Sequence, residues 1–159
     1  MQALILAGGK GTRLRPYTTV IPKPLMPVGD YPILEVILRQ LKAAGMDEVI
    51  LAVGYMSQLF QAFFQDGSKY GLKISYSFES APLGTAGPIG LLLDRLEANF
   101  LVMNGDLLTT LNYRKLFDYH LAQGAAATIG VYRREVNIDF GVIETDETNR
   151  LARYIEKPT

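Results

Sequence analysis

The 159-residue sequence has no cysteine and a single histidine. The first absence excludes disulfides, thiolate nucleophiles and Cys-ligated zinc; the second excludes a multi-histidine metal centre. No apolar run approaches the roughly 18–20 residues that span a bilayer, and the start MQALILAGGKGTRLRP places no charged stretch before its apolar residues. Neither a membrane span nor a secretory leader is expected, and cytoplasmic residence is the default. Net charge is lacking too, since 16 Lys plus Arg balance 16 Asp plus Glu. Neutrality removes the usual electrostatic case for a nucleic-acid binder or a polybasic membrane adsorber.

One sign of charge is missing locally. No Asp or Glu precedes Asp30, whereas Lys10, Arg13, Arg15 and Lys23 all fall in that acid-free stretch. Four cations without a counter-charge suit a small polyanion; a solvated basic loop is the alternative, and the surrounding glycines decide between them. The rest of the composition, 48% hydrophobic and 20% charged, is that of a chain able to bury one sizeable core.

Apolar runs alternate with helical-period segments. QALILA (2–7) reads as a short buried strand stopped by Gly8-Gly9. Residues 10–30 hold Pro16, Pro22, Pro24 and Pro27, too many for a helix, so a long ordered loop is expected there. After Pro32, ILEVILRQLKAAG has helical spacing and ends on Gly45; EVILAVG is the next strand, and Ser57 is placed to cap the helix SQLFQAFF. LKISYSFE is a third strand, Thr85 or Pro88 opens a helix running to about Leu96, and FLVMNGD is a buried strand ending in an acid. Asn112 should cap a helix over 113–123, ATIGVY reads as a fifth strand, and FGVIETDETNRLARYIEKP reads as an antiparallel hairpin. The strand-helix-strand order predicts an α/β fold: a Rossmann-like three-layer α/β/α arrangement with a mostly parallel sheet and a C-terminal antiparallel hairpin.

The segment Gly8-Gly9-Lys10-Gly11-Thr12-Arg13 follows the first strand directly. It is not a Walker A loop, which ends in Gly-Lys-Ser/Thr, nor the dinucleotide fingerprint, because Leu14 stands where a third Gly belongs. It shares their physics, since glycines let several backbone N–H groups turn onto phosphate oxygens. A glycine-rich tight turn is the bland alternative, and Arg13 and Lys23 on the same acid-free loop count against it. His120, among Leu116, Phe117 and Leu121, reads as a packing or boundary residue, and Phe60, Phe63 and Phe64 as a helix face against the sheet.

Leu6-Ala7-Gly8-Gly9-Lys10-Gly11-Thr12-Arg13-Leu14-Arg15-Pro16, followed by Pro22-Lys23-Pro24-Leu25-Met26-Pro27-Val28, resembles the bipartite signature of the sugar-phosphate nucleotidyltransferases, or NDP-sugar pyrophosphorylases. Leu83-Gly84-Thr85-Ala86-Gly87, Asn104-Gly105-Asp106, Phe140-Gly141-Val142 and Glu156-Lys157-Pro158 follow in the family's order, and the motifs are closest to mannose-1-phosphate guanylyltransferase-like members. The resemblance implies one nucleotidyltransferase core over 1–159 with its end removed: an NTP-binding part at 1–110 and the start of a sugar-phosphate-binding part at 111–159.

The implied reaction is attack of a sugar 1-phosphate on the α-phosphorus of an NTP, releasing pyrophosphate. The resemblance makes Arg13, Lys23 and Asp106 catalytic, with Arg13 on the β,γ-phosphates and Lys23 on the α side. Leu6, Ala7, Gly8, Gly9, Gly11, Thr12 and Arg13 would hold the nucleotide, together with Glu79 and Gly84 on its nucleobase loop. Asp106 would bind Mg²⁺, or, read alone, cap the following segment. Asn104, Gly141, Glu156 and Lys157 would bind the sugar phosphate, although neighbours on a strand such as Glu156 and Lys157 start on opposite faces unless the strand ends there. Glu79 stands where thymidylyl enzymes carry Gln. A carboxylate accepts two hydrogen bonds and suits the adjacent N1–H and N2–H of guanine, so GTP with mannose 1-phosphate or a similar sugar is favoured. A uridylyl or thymidylyl transferase on glucose 1-phosphate and a non-catalytic regulatory subunit remain alternatives, and a homo-oligomer is expected.

Overall fold

The computed structural model describes residues 1–79, 83–134 and 139–157. By internal packing it divides into two units, Met1–Thr128 and Ile129–Thr159, each treated by itself below.

In the first unit the opening strand, β1 (Gln2–Leu6), takes a central position. The proline-rich loop that follows holds three short 3₁₀ turns, Thr12–Leu14, Tyr17–Thr19 and Lys23–Leu25. It closes on a small antiparallel ribbon of β2 (Pro27–Val28) and β3 (Tyr31–Pro32). Helix α1 (Ile33–Ala43) leads to β4 (Glu48–Val53), α2 (Ser57–Phe64) to β5 (Lys73–Phe78), and α3 (Gly87–Leu91) to β6 (Phe100–Asn104). Helix α4 (Tyr113–Gln123) comes last, and as expected its Asn112 side chain caps it by accepting from the Lys115 N–H at 3.0 Å. Among the described residues the main sheet has the order β5-β4-β1-β6, with every neighbouring pair parallel.

Strand alternation builds a core on each face. Ala3 and Ile5 of β1 join Val49, Leu51, Val53 and Met103 under α1, α2 and α4, where Leu34, Ile37, Leu38 and Leu41 form the apolar stripe of α1. Leu4, Ile50 and Ala52 point the other way, onto Leu92, Ile89 and Leu96. Two buried faces explain why β1 and β4 read as continuous apolar runs. Full burial of one such Leu or Ile contributes about 2 kcal/mol. The core is also pinned by one buried acid: Glu35 accepts from Arg39 Nη2 at 2.7 Å and from the Tyr70 hydroxyl at 3.2 Å. Burial, reinforced by Glu35, pushes the Tyr70 phenol up to about 12.

Four expectations need correction. ATIGVY forms no strand: residues 125–134 have no regular structure, and Ile129, Val131 and Tyr132 are more than four-fifths exposed. Strand preference of β-branched and aromatic residues comes from packing against cross-strand neighbours, and among the described residues no strand pairs with this run. The helix expected to reach Leu96 stops at Leu91 and gives way to a 3₁₀ turn, Leu93–Arg95, because Leu92 leaves helical geometry at φ −113°, ψ 6°. Ser57 is not the cap of α2. That place is taken by Met56 in a left-handed conformation, with no side-chain capping bond. Within α2, Phe60 and Phe64 are buried as expected, but Phe63 faces outward at 46% exposure.

The second unit carries the expected hairpin, β7 (Val142–Thr145) antiparallel to β8 (Leu151–Ile155). Its turn is organised by Asp146, whose carboxylate accepts from the Thr148 N–H at 2.8 Å, the Thr148 hydroxyl at 2.7 Å and the Arg150 N–H at 3.0 Å.

Candidate functional site

In an open parallel sheet the ligand crevice lies beyond the carboxyl ends of the strands, where successive connections leave to opposite sides. Here the chain runs outward from β1 through β4 to β5 and then returns to the far side of β1 for β6. The switch point is therefore between β1 and β6. From β5 to β6 the rim of strand ends measures about 14 Å, three strand spacings.

The end of β1 is held on both sides. The Ala7 N–H donates to the Ala52 carbonyl at 2.8 Å, and the Gly105 N–H donates to the Leu6 carbonyl at 2.9 Å. Leu6 is half-buried and Ala7 buried; beyond half-buried Gly8 the chain lifts off the sheet, leaving Gly9, Lys10, Thr12 and Arg13 exposed. Gly11 turns the loop with φ 59°, a left-handed conformation that a side chain resists. Its carbonyl accepts twice, from the Leu14 N–H and from the Thr18 hydroxyl, each at 2.9 Å.

Lys23 reaches across to β6. Its Nζ lies 2.7 Å from Asp106 Oδ2, just beyond the end of that strand, with side chains 39% and 33% exposed. The two residues assigned separately to phosphate and metal by their motifs are partners here. An ion pair this open to water is worth roughly 1 kcal/mol or less, so an arriving phosphate or cation can take either member. Arg13 has no partner among the described residues and extends into solvent.

Asp106 offers hard oxygen donors of the kind Mg²⁺ prefers. No group of three or more His, Asp or Glu among the described residues could hold a metal by itself. The fit is therefore to a cation that takes one protein carboxylate and completes its shell with phosphate oxygens and water, the usual habit of Mg²⁺.

Glu79 follows β5, with its N–H donating to the Val53 carbonyl at 2.9 Å. Its carboxylate folds over the start of the glycine-rich loop, so close that a Cβ on Gly8 would lie 3.0 Å from Glu79 Oε1. Of the same stretch, Ser80, Ala81 and Pro82 lie outside the described residues; Gly84 is exposed with φ 71° and open space around it. Asn104, the last residue of β6, is exposed. The first unit thus brings Gly8, Gly11, Lys23, Glu79 and Asp106 to one end of one sheet.

In the second unit Gly141, Tyr154 and Glu156 come together. The Tyr154 hydroxyl donates to the Glu156 carboxylate, and its ring covers Gly141 so closely that a Cβ there would collide with it. Glu156 lifts the Tyr154 phenol above its ordinary value. Strand β8 ends at Ile155, and Lys157 has φ 44°, so strict alternation does not govern Glu156 and Lys157; Pro158 lies outside the described residues. His120 is a tie between segments, Nδ1 to Thr128 Oγ1 at 2.9 Å and Nε2 to Asn99 Oδ1 at 3.1 Å.

Sequence reasoning passed over Thr18 and Tyr154. Tyr154 stands two residues before Glu156, a spacing that places both on one side of a strand and could have raised it. Thr18 had no such signal, because its partner lies seven residues back across a proline-rich loop.

No helix among the described residues is long and apolar enough to cross a membrane. Among solved structures, HddC from Yersinia pseudotuberculosis complexed with GMP-PN superposes with a TM-score of 0.68 at 26% identity, covering 99% of this chain and 70% of that one. A mannose-1-phosphate guanylyltransferase of Mycobacterium tuberculosis is 40% identical over 158 residues, which are 99% of this chain and 44% of that protein. The catalytic subunit beta of the Xenopus tropicalis mannose-1-phosphate guanylyltransferase is 40% identical over 163 residues, 99% of this chain and 45% of the relative. The chain spans about half the length of the curated relatives it matches. The nucleotidyl transferase family pattern matches residues 2–159, and the chain belongs to that family.

Proposed function

We propose that the chain supplies the nucleotide-binding half of a sugar-1-phosphate nucleotidyltransferase, joining an NTP and a sugar 1-phosphate into an NDP-sugar with release of pyrophosphate. The observation that carries this reading is the rim of β1 and β6: an acid-free glycine-rich loop on one strand and the Lys23–Asp106 pair bridging to the other. A sugar 1-phosphate has its second pKa near 6 and is mostly a dianion at neutral pH, so its oxygen attacks the α-phosphorus without a general base. The protein's task is in-line positioning and neutralisation of charge.

Arg13, unpartnered and forked, takes the β,γ-phosphates and steadies departing pyrophosphate. Lys23 exchanges Asp106 for the α-phosphate side. Asp106, so released, is the residue that would hold Mg²⁺, which supplies charge neutralisation on the triphosphate when bound. Backbone N–H groups from Gly8 to Thr12 line the phosphate chain, and Glu79 and Gly84 take the base. In the second unit the reading assigns Gly141, Glu156 and Lys157, with Asn104 of the first, to the sugar phosphate.

GTP and mannose 1-phosphate, or a related hexose or heptose phosphate, are the favoured pair. The guanine preference rests on the acceptor-only carboxylate of Glu79 and agrees with what the guanylyltransferase relatives are named for. The test is binding of the four NTPs by this chain with Mg²⁺ by calorimetry, alongside pyrophosphate release over a panel of sugar 1-phosphates. GTP should bind best, and Arg13→Ala should weaken it at least tenfold through loss of charge-assisted bonds. Failure to bind any NTP, or normal binding by Arg13→Ala, overturns the reading.

A further inference from the structure

Thr18 is 2% exposed, unusual for a hydroxyl residue in a loop whose neighbours Tyr17, Thr19 and Val20 are all exposed. It is buried against Gly11: its hydroxyl donates to the Gly11 carbonyl at 2.9 Å, and its Cγ2 would lie 2.8 Å from a Cβ on Gly11. That same Cβ position is 3.6 Å from Lys23 Cβ, so Gly11, Thr18 and Lys23 form one packed knot within the acid-free stretch.

The direction of the bond matters. A trans peptide is planar, and its C=O and following N–H point in opposite directions. Two donors, Thr18 Oγ1–H and Leu14 N–H, hold the Gly11 carbonyl toward the interior of the knot. The N–H of Thr12 belongs to that peptide and is therefore turned outward; it has no acceptor among the described residues. The Gly11 carbonyl is likewise kept from facing an anion, which its negative end would repel.

We infer that Thr18 is a positioning residue for phosphate recognition: its hydroxyl fixes the Gly11–Thr12 peptide so that the Thr12 N–H is presented, preformed, to the phosphate chain. The inference rests on the nucleotide reading above and adds to it a residue and a donor. It also accounts for the choice of side chain. Val in place of Thr keeps the buried shape without the donor, and Ser keeps the donor without the methyl.

The experiment compares the wild-type chain with Thr18→Val and Thr18→Ser, using GTP with Mg²⁺ and inorganic tripolyphosphate as probes. Affinity is read by calorimetry and the Thr12 amide by ¹⁵N–¹H spectra. Thr18→Val should lose about tenfold in affinity for both probes, and Thr18→Ser should stay within about threefold of wild type. The Thr12 amide resonance should move on tripolyphosphate binding in the wild-type and Ser proteins. Equal affinity of the Val and wild-type proteins overturns the inference and leaves the nucleotide reading standing. A Thr12 amide that stays still while wild-type protein binds tripolyphosphate does the same, and needs no variant to fold. If wild-type protein binds neither probe, both readings fall.

Discussion

Replacing Gly11 by Ala tests the loop by a pair of terms that the structure separates. At φ 59° the new residue is held in the left-handed region, which costs about 1–2 kcal/mol for a residue with a Cβ. The added Cβ also falls 2.8 Å from Thr18 Cγ2, and Thr18, being 2% exposed, has nowhere to retreat. Overpacking of a closed site costs about 1–3 kcal/mol. The combined loss should be roughly 2–5 kcal/mol, which for a chain of this size lowers Tm by roughly 5–15 °C. Gly9 is the internal control, because it lies outside the left-handed region and a Cβ there meets nothing within 4 Å. Gly9→Ala should move stability by no more than about 0.5 kcal/mol. Thr18→Ser added to Gly11→Ala removes the clashing methyl and should restore the steric part while leaving the backbone part, a coupling of about 1–3 kcal/mol. The assay is thermal and urea unfolding followed by circular dichroism. A Gly11→Ala protein as stable as wild type would refute the reasoning; so would a Gly9→Ala loss as large as that of Gly11→Ala.

Two further outcomes are expected. Glu79→Gln should cut the preference for GTP over UTP and dTTP by roughly tenfold or more, since a neutral amide gives up the charge assistance to the guanine donors; an unchanged ratio in competitive NTP binding removes Glu79 from base choice. Asp146 accepts bonds from the Thr148 hydroxyl and from the Arg150 and Thr148 N–H groups, which hold its carboxyl below the ordinary 3.8. A depressed folded value stabilises the hairpin above the unfolded value and loses that contribution as pH falls through the folded one. The Asp146 carboxyl should therefore titrate below 3.8 by NMR, and Thr148→Ala should bring it back toward 3.8; a wild-type midpoint at or above 3.8 sinks the claim.

How much could be read beforehand divides along a physical line. Elements whose two faces or one stripe are buried were legible: QALIL, EVILAV and the helix after Pro32 carry their packing in their periodicity, and Asn112 carries its cap. Elements that depend on a partner were not. ATIGVY has strand chemistry but no strand pairs with it among the described residues, and the helix after Pro88 ends where Leu92 leaves helical geometry, which no apolar spacing announces. Met56 displaced Ser57 at the start of α2 through a backbone conformation that propensity does not favour. In the site, the motifs singled out Gly11, Lys23 and Asp106, and the fold puts the loop after β1 beside the end of β6. They did not indicate that Lys23 and Asp106 would pair, nor that Thr18 would fold back on Gly11, because both contacts depend on how one proline-rich loop lies over the sheet.

The central place of β1 has a consequence for how the chain comes to fold. This strand pairs Gln2 with Glu48 on one side and with Phe100 on the other, so its pairing is complete only when segments 46 and 98 residues further along the chain have come back to it. Apolar on both faces, β1 needs both neighbours, and non-local pairings of this kind carry a loop-closure cost that local contacts do not. Met1 is tied into the same arrangement, since its carbonyl accepts from the Asp47 N–H at 3.0 Å and so extends the link between β1 and the start of β4.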